Sequence, residues 1–118
     1  MYEYKVEKIL EVIDGDTVDV LVDLGFHTYL EKRVRLSGIN APEIRTRDKA
    51  EKAKGKLAKK KLQELLNAED IICEQGREGL ILRSYGAGKF GRVIGDILKD
   101  NVNLGQLLLQ QGLVKKYE

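Results

Sequence analysis

Three short stretches of this 118-residue chain gather the residue types that do chemistry: Asp14-Gly15-Asp16, the run from Arg35 through Asn40 to Glu43, and Lys89 to Arg92. Carboxylates and arginines from separate turns suit one task. A hard cation rests on oxygen ligands, a phosphate lies between the cation and the guanidinium groups, and a glutamate orients or deprotonates water. Arginine serves this better than lysine, because its planar fork bonds two phosphate oxygens at once. Plainer readings stand beside it. A turn aspartate bonds its own backbone, an arginine and a glutamate form a structural ion pair, Glu43 is favoured by a helix dipole, and a loop lysine is only solvated.

Composition narrows the options. One histidine, His27, and one cysteine, Cys73, leave almost no material for a zinc site or a Cys/His nucleophilic pair, so oxygen ligands are the realistic choice for any metal. His27 decorates a hairpin turn, and Cys73 reads as a core or half-buried strand residue. A lone cysteine forms no internal disulfide and fits a reducing compartment. No apolar run approaches a membrane span. The charged, alternating N-terminus is not a signal peptide, which leaves a cytoplasmic protein or a processed or truncated secreted form. The net charge is only +2, yet residues 45–61 hold nine Lys/Arg against Asp48 and Glu51. That excess favours an anionic partner or marks a solvated helix face.

The elements that must position these clusters follow from periodicity. A strand is expected from about Lys5 to Ile13, although Val6, Ile9 and Val12 do not share one face at a two-residue period. Asp14-Gly15-Asp16 is a hairpin turn signal, and Thr17 to Asp23 alternates cleanly, with Val18, Val20 and Val22 facing one way. After a turn at Leu24 to His27, Thr28 to Leu36 returns as a third strand that delivers Arg35 to the turn set by Gly38, Asn40 and Pro42. The period then changes. Ala50, Ala53, Leu57, Ala58, Leu62, Leu65 and Leu66 predict a long amphipathic helix from Ile44 to Leu66, capped by Thr46 or Asp48 and ended by Asn67. Gly55 in mid-helix implies a close approach or an irregularity. A fourth strand is expected at Ile71 to Glu74, with Leu80 to Leu82 extending it or forming a separate edge. Ser84 to Arg92 reads as a glycine-rich basic loop, Val93 to Leu98 as a fifth strand, and Asn103 as the cap of a short helix stopped by Gly112. The result is one α+β domain over residues 1–118, mainly β with helices. Five strands, a long helix between the third and fourth, and a short C-terminal helix make an OB-type barrel.

On these residues the chain resembles a known family. Val12-Ile13-Asp14-Gly15-Asp16-Thr17-Val18, Arg35-Leu36-x-Gly38-Ile39-x-Ala41-Pro42-Glu43 and Lys89-Phe90-Gly91-Arg92-x-x-Gly95 are similar to the signatures of the staphylococcal nuclease (thermonuclease) family, in that family's order. Leu107-Leu108-x-x-Gln111-Gly112-Leu113-Val114 is similar to its C-terminal helix. The resemblance implies an OB-fold and a Ca²⁺-dependent phosphodiesterase that cleaves DNA and RNA and leaves 3′-phosphate ends. It further implies Asp16, Asn40 and the Ala41 carbonyl as metal ligands, with Asp14 nearby. Glu43 falls to the role of general base or water-orienting group, Arg35 and Arg92 to phosphate binding, and Lys89 to a terminal phosphate. Tyr85 or Tyr117 is left to stack on the nucleotide.

One departure matters. Asn40 stands where the family usually has a metal-binding aspartate, so an oxygen ligand is kept and a negative charge is lost. A non-catalytic nucleic-acid-binding OB module with a decayed metal site is therefore the rival reading. Against it stand the retained Arg35, Glu43 and Arg92, and an aromatic content of only 6%, thin for a stacking platform. In either reading the partner is DNA or RNA, no membrane is involved, and a monomer is expected.

Overall fold

The computed structural model describes residues 2–66, 80–87 and 91–117. Strands β1 (Tyr2–Asp14), β2 (Thr17–Asp23) and β3 (Tyr29–Leu36) form an antiparallel meander. Val6, Ile9 and Val12 do share a face after all. The β1–β2 register slips between Val6 and Lys8, between Ile9 and Glu11, and between Val12 and Asp14. Each slip is a bulge that inserts one residue and turns a three-residue spacing into an inward one. Val6 and Val12 are buried and Ile9 packs against the core beside them. Bulges also coil the strand, which a sheet needs in order to close.

Closure comes from strands β5 (Leu80–Ala87) and β6 (Val93–Lys99), numbered after the two-residue strand β4 (Ile39–Asn40). β5 pairs with β1 and with β6, and β6 runs parallel to β3 with Arg35 opposite Ile94. The order β3-β2-β1-β5-β6, closed by β3–β6, is a five-stranded barrel of the OB type. The expected strand at Ile71 to Glu74, with Cys73, and the helix stop at Asn67 lie outside the described residues. The fourth barrel strand is Leu80–Ala87, so Ser84 to Ala87 is not loop as expected. Leu80 and Leu82 supply its buried face. A bulge between Ser84 and Gly86, with Gly86 at φ +129°, lets Gly86 and Ala87 continue the pairing.

Helix α1 (Lys49–Leu66) begins later than the expected Ile44. Asp48 is its cap, its Oδ1 accepting from the Ala50 and Glu51 amides at 3.0 and 3.3 Å. The helix meets the barrel through a stripe of Gly55, Ala58, Leu62 and Leu66. Ala50, Ala53 and Leu57, expected on that stripe, are exposed, and Leu65 is half-buried. Its lysines cover the remaining turns, and no helix among the described residues is long and apolar enough to cross a membrane. Beyond β6, an Asp100-Asn101 turn with both residues at positive φ leads through β7 (Val102–Asn103) into α2 (Leu104–Gln110). Asn103 caps α2, accepting from the Gln106 amide at 3.1 Å. Gly112 ends it at φ +74°, with the Gly112 and Leu113 amides donating back to the Leu109 and Leu108 carbonyls. That is a Schellman stop. Strand β8 (Lys115–Lys116) then pairs with β4.

Gly55 is a close approach, one of the two readings its position allowed. A Cβ there would lie 2.7 Å from the Pro42 carbonyl oxygen and 2.9 Å from Ile44 Cγ1. The helix thus holds the Pro42–Ile44 backbone against itself and fixes the course of the chain at Glu43. Gly55→Ala gains about 1 kcal/mol of helix propensity but forces backbone apart, an overpacking that typically costs about 1–3 kcal/mol. A net loss of about 1 kcal/mol is expected as a lower urea midpoint; a higher midpoint would contradict this packing.

Candidate active site

Asp16 is one of two buried charged residues among the described residues, 6% exposed, and both of its carboxylate oxygens are bonded. Oδ1 accepts from the Thr17 hydroxyl at 2.9 Å, and Oδ2 from the Ala41 amide at 2.8 Å. Arg35 Nη1 lies 3.1 Å from Oδ2. The main chain reinforces the tie, as the Leu36 amide donates to the Asp16 carbonyl. One side chain thus joins the β1–β2 hairpin, the end of β3 and the β4 turn. The hairpin can reach that position because Gly15 carries no side chain: a Cβ would fall 2.7 Å from that of Ala58 in α1 and 3.0 Å from that of Ala41.

Arg35 is equally fixed. It donates to the Ile39 carbonyl at 3.0 Å and to Asn40 Oδ1 at 3.3 Å. The Tyr117 ring lies across its guanidinium, 5.6 Å from centroid to Cζ, a cation–π arrangement. Tyr117 is brought there by the β4–β8 pairing and by its amide donating to the Gly38 carbonyl at 3.0 Å. Gly38 sits at φ +74°, which glycine adopts without strain. Arg35, Arg92 and Tyr117 line one cavity of about 380 Å³, walled by Leu36, Ile39 and Ile94. The parallel β3–β6 pairing accounts for this, since it sets Arg35 beside Ile94, two residues from Arg92.

Glu43 lies elsewhere. It is exposed and lines a second cleft, of about 550 Å³, with Asp14, Arg33, Arg45 and Lys59. The two cavities have no lining residue in common; the Asp14, Asp16 and Arg35 contacts link them. Asn40 and Ala41 open on a third cleft with Lys54 and Lys115. Tyr85 points its hydroxyl at Asp96, 2.6 Å from Oδ2, and Lys89 lies outside the described residues. So direct contacts join Asp16, Arg35, Asn40 and Ala41. Arg92 and Tyr117 share the arginine cavity, and Glu43 faces the adjoining cleft beside Asp14.

Sequence reasoning passed over Asp96 and Ser37. Asp96 is 7% exposed and accepts from the Ser37 hydroxyl at 2.6 Å as well as from Tyr85. A signal existed: Asp96 is the one acidic residue inside the apolar run from Val93 to Leu98, and a buried carboxylate needs donors.

The donor set around Asp16 consists of carboxylate, amide and backbone carbonyl oxygens, which suits a hard cation such as Ca²⁺ rather than zinc or copper. Its charge is low. Among the described residues no group of three or more Asp, Glu, His or Cys could hold a metal ion. The two aspartates also divide their protons. Asp14 is raised to about 6, first by burial and then by the hydrogen bond its carboxyl shares with that of Asp16. Burial alone would raise Asp16 too. Against it, the bonds from Asp14 and the Ala41 amide and the Arg35 charge hold its carboxyl below the usual range.

The raised value makes Asp14 most favourable to folding when protonated. Its contribution is complete below pH 3.8 and is lost as pH rises through about 6. Asp14→Asn keeps an oxygen for the Asp16 amide, which bonds Asp14 Oδ1 at 3.0 Å, and removes the charge. In metal-free buffer above the raised value the variant is expected to be more stable by about 1–2 kcal/mol, after solvent screening at this partly exposed position. The gain disappears in acid. Denaturant midpoints across pH check this, and a difference that does not change with pH would contradict it.

Residues 33–118 match the family described as staphylococcal nuclease homologue. The match begins within β3, so it includes Arg35, Asn40, Glu43, Arg92 and Tyr117 but not Asp14 or Asp16. No curated protein matches the chain.

Proposed function

From a chain that belongs to the staphylococcal nuclease family, we propose a calcium-dependent nuclease that hydrolyses phosphodiester bonds of DNA and RNA and leaves 3′-phosphate ends. The observation that carries this reading is the locked Arg35. Its guanidinium is held by Asp16, Ile39 and Asn40 and lines one cavity with Arg92. Two guanidiniums at one cavity suit the phosphodiester anion and would stabilise the second negative charge that builds on its equatorial oxygens as water adds. Because Arg35 is held in place before substrate arrives, little reorganisation of it is required during reaction.

Glu43, in the cleft beside Asp14, takes the role of orienting or deprotonating a water. The water oxygen forms a new bond to phosphorus as its proton passes to Glu43, the bond to the 5′ oxygen breaks, and that oxygen takes up a proton from solvent. Ca²⁺ would be held by Asp16, Asn40 and the Ala41 carbonyl, with Asp14 beside them, and would supply charge neutralisation at a phosphate oxygen. Tyr117 and Tyr85 are candidates to stack on the nucleotide, and Lys89 to meet a terminal phosphate. The lysine-covered faces of α1 add a non-specific attraction for the polyanion that weakens as salt rises.

A second reading draws on Asn40. Its Oδ1 accepts from Arg35, and the charge that an aspartate would add is missing. A binding module that has lost its metal would have the same arginine cavity and no cleavage.

Incubating the purified chain with single-stranded DNA, in calcium or in chelator, separates the two. Calcium-dependent cleavage is expected, reduced about 10²–10⁴-fold in Glu43→Ala; tight binding without cleavage at any calcium level would favour the module. Asn40→Asp restores a ligand charge and is expected to lower the calcium needed for half-maximal cleavage by about 5–30-fold, the equivalent of about 1–2 kcal/mol. An unchanged requirement would show that residue 40 is no ligand.

A further inference from the structure

The arginine cavity contains one polar group that a phosphate site does not need. Ser37 lines it, and its hydroxyl donates to Asp96 Oδ1 at 2.6 Å. The other oxygen of Asp96 is taken by the Tyr85 hydroxyl at the same distance. Asp96 is buried and accepts at both oxygens, so it holds both hydroxyls in place. With its proton turned inward, Ser37 has only lone pairs left to offer. It can accept a hydrogen bond from a ligand but cannot give one.

The donor it meets is set by the cavity that Ser37 shares with Arg35 and Arg92. A phosphate resting on the two arginines places the sugar next to it in that same cavity, where the sugar is the nearest part of the nucleotide to offer Ser37 a donor. The one donor on that sugar is the ribose 2′-hydroxyl, the group by which proteins distinguish RNA from DNA. We infer that Ser37, oriented by Asp96, accepts from the 2′-hydroxyl of the nucleotide in the arginine cavity and biases the site towards RNA. The inference rests on the nucleic-acid reading of that cavity and adds a substrate preference to it. Ser37 is the contact; Asp96 is a positioning residue that acts through it.

Binding of octauridylate, its deoxy counterpart and its 2′-fluoro counterpart, measured by calorimetry in chelator so that nothing is cleaved, tests this. The 2′-fluoro strand keeps the ribose pucker but has no donor. The ribose strand is expected to bind about 3–10-fold more tightly than either of the others, the range of one net hydrogen bond. Ser37→Ala is expected to bring all three together by weakening the ribose strand alone. Equal binding of the three strands by the unaltered protein would overturn the inference and leave the phosphate site standing. So would a ribose preference that survives Ser37→Ala, or a 2′-fluoro strand that binds like ribose. Failure of every strand to bind, with or without calcium, would overturn the nucleic-acid reading as well.

Discussion

The structure around the site depends on one buried carboxylate. Asp16 takes hydrogen bonds from its own hairpin, from the Ala41 amide and from Arg35, and so ties those three segments together. A buried ion pair of this kind contributes little net stability against an apolar replacement, because desolvation offsets much of the attraction. Removing one partner alone strands a charge and typically costs about 3–5 kcal/mol. The pair is better understood as a specification of geometry. It holds a guanidinium at the rim of a barrel in an orientation that water would not maintain.

The barrel supplies what the pair cannot. Three bulges in β1 coil the sheet until β3 meets β6 in parallel, and that contact puts Arg92 near Arg35. Two glycines work by having no Cβ: Gly15 seats the aspartate hairpin against α1, and Gly55 seats the segment that carries Glu43. The C-terminal strand closes the arrangement by laying Tyr117 over Arg35. Packing sets the backbone and electrostatics then fixes the side chains, so damage to either reaches the site.

Much of this was legible in the residues. The alternation of Val18, Val20 and Val22, the Asn103 cap and the Gly112 stop are local signals, and each appears where its chemistry requires. The polar clusters at Asp16 and Arg35 were legible as a set, although direct contacts tie only part of it together. What escaped depends on partners distant along the chain. The spacing of Val6, Ile9 and Val12 argued against a single face until the bulges on β1 resolved it. Ser84 to Ala87 looked like loop because glycine content says nothing of an available strand edge, here offered by β6. The start of α1 was set by the Asp48 cap rather than by apolar periodicity, and its stripe proved narrower because the barrel covers only one line of the helix. Asp96 is not legible as a polar site in the sequence because its partners, Ser37 in the turn after β3 and Tyr85 in β5, are distant along the chain.

On the proposed function, segments far apart in sequence form a single anion-binding site around the Asp16–Arg35 pair. Amide chemical shifts of the ¹⁵N-labelled protein, followed while a short oligonucleotide is titrated in, address it residue by residue. Asp16, Arg35, Asn40, Ala41, Arg92 and Tyr117 are expected to shift together along one saturation curve. Shifts confined to the lysine faces of α1, with those six amides unmoved, would contradict it.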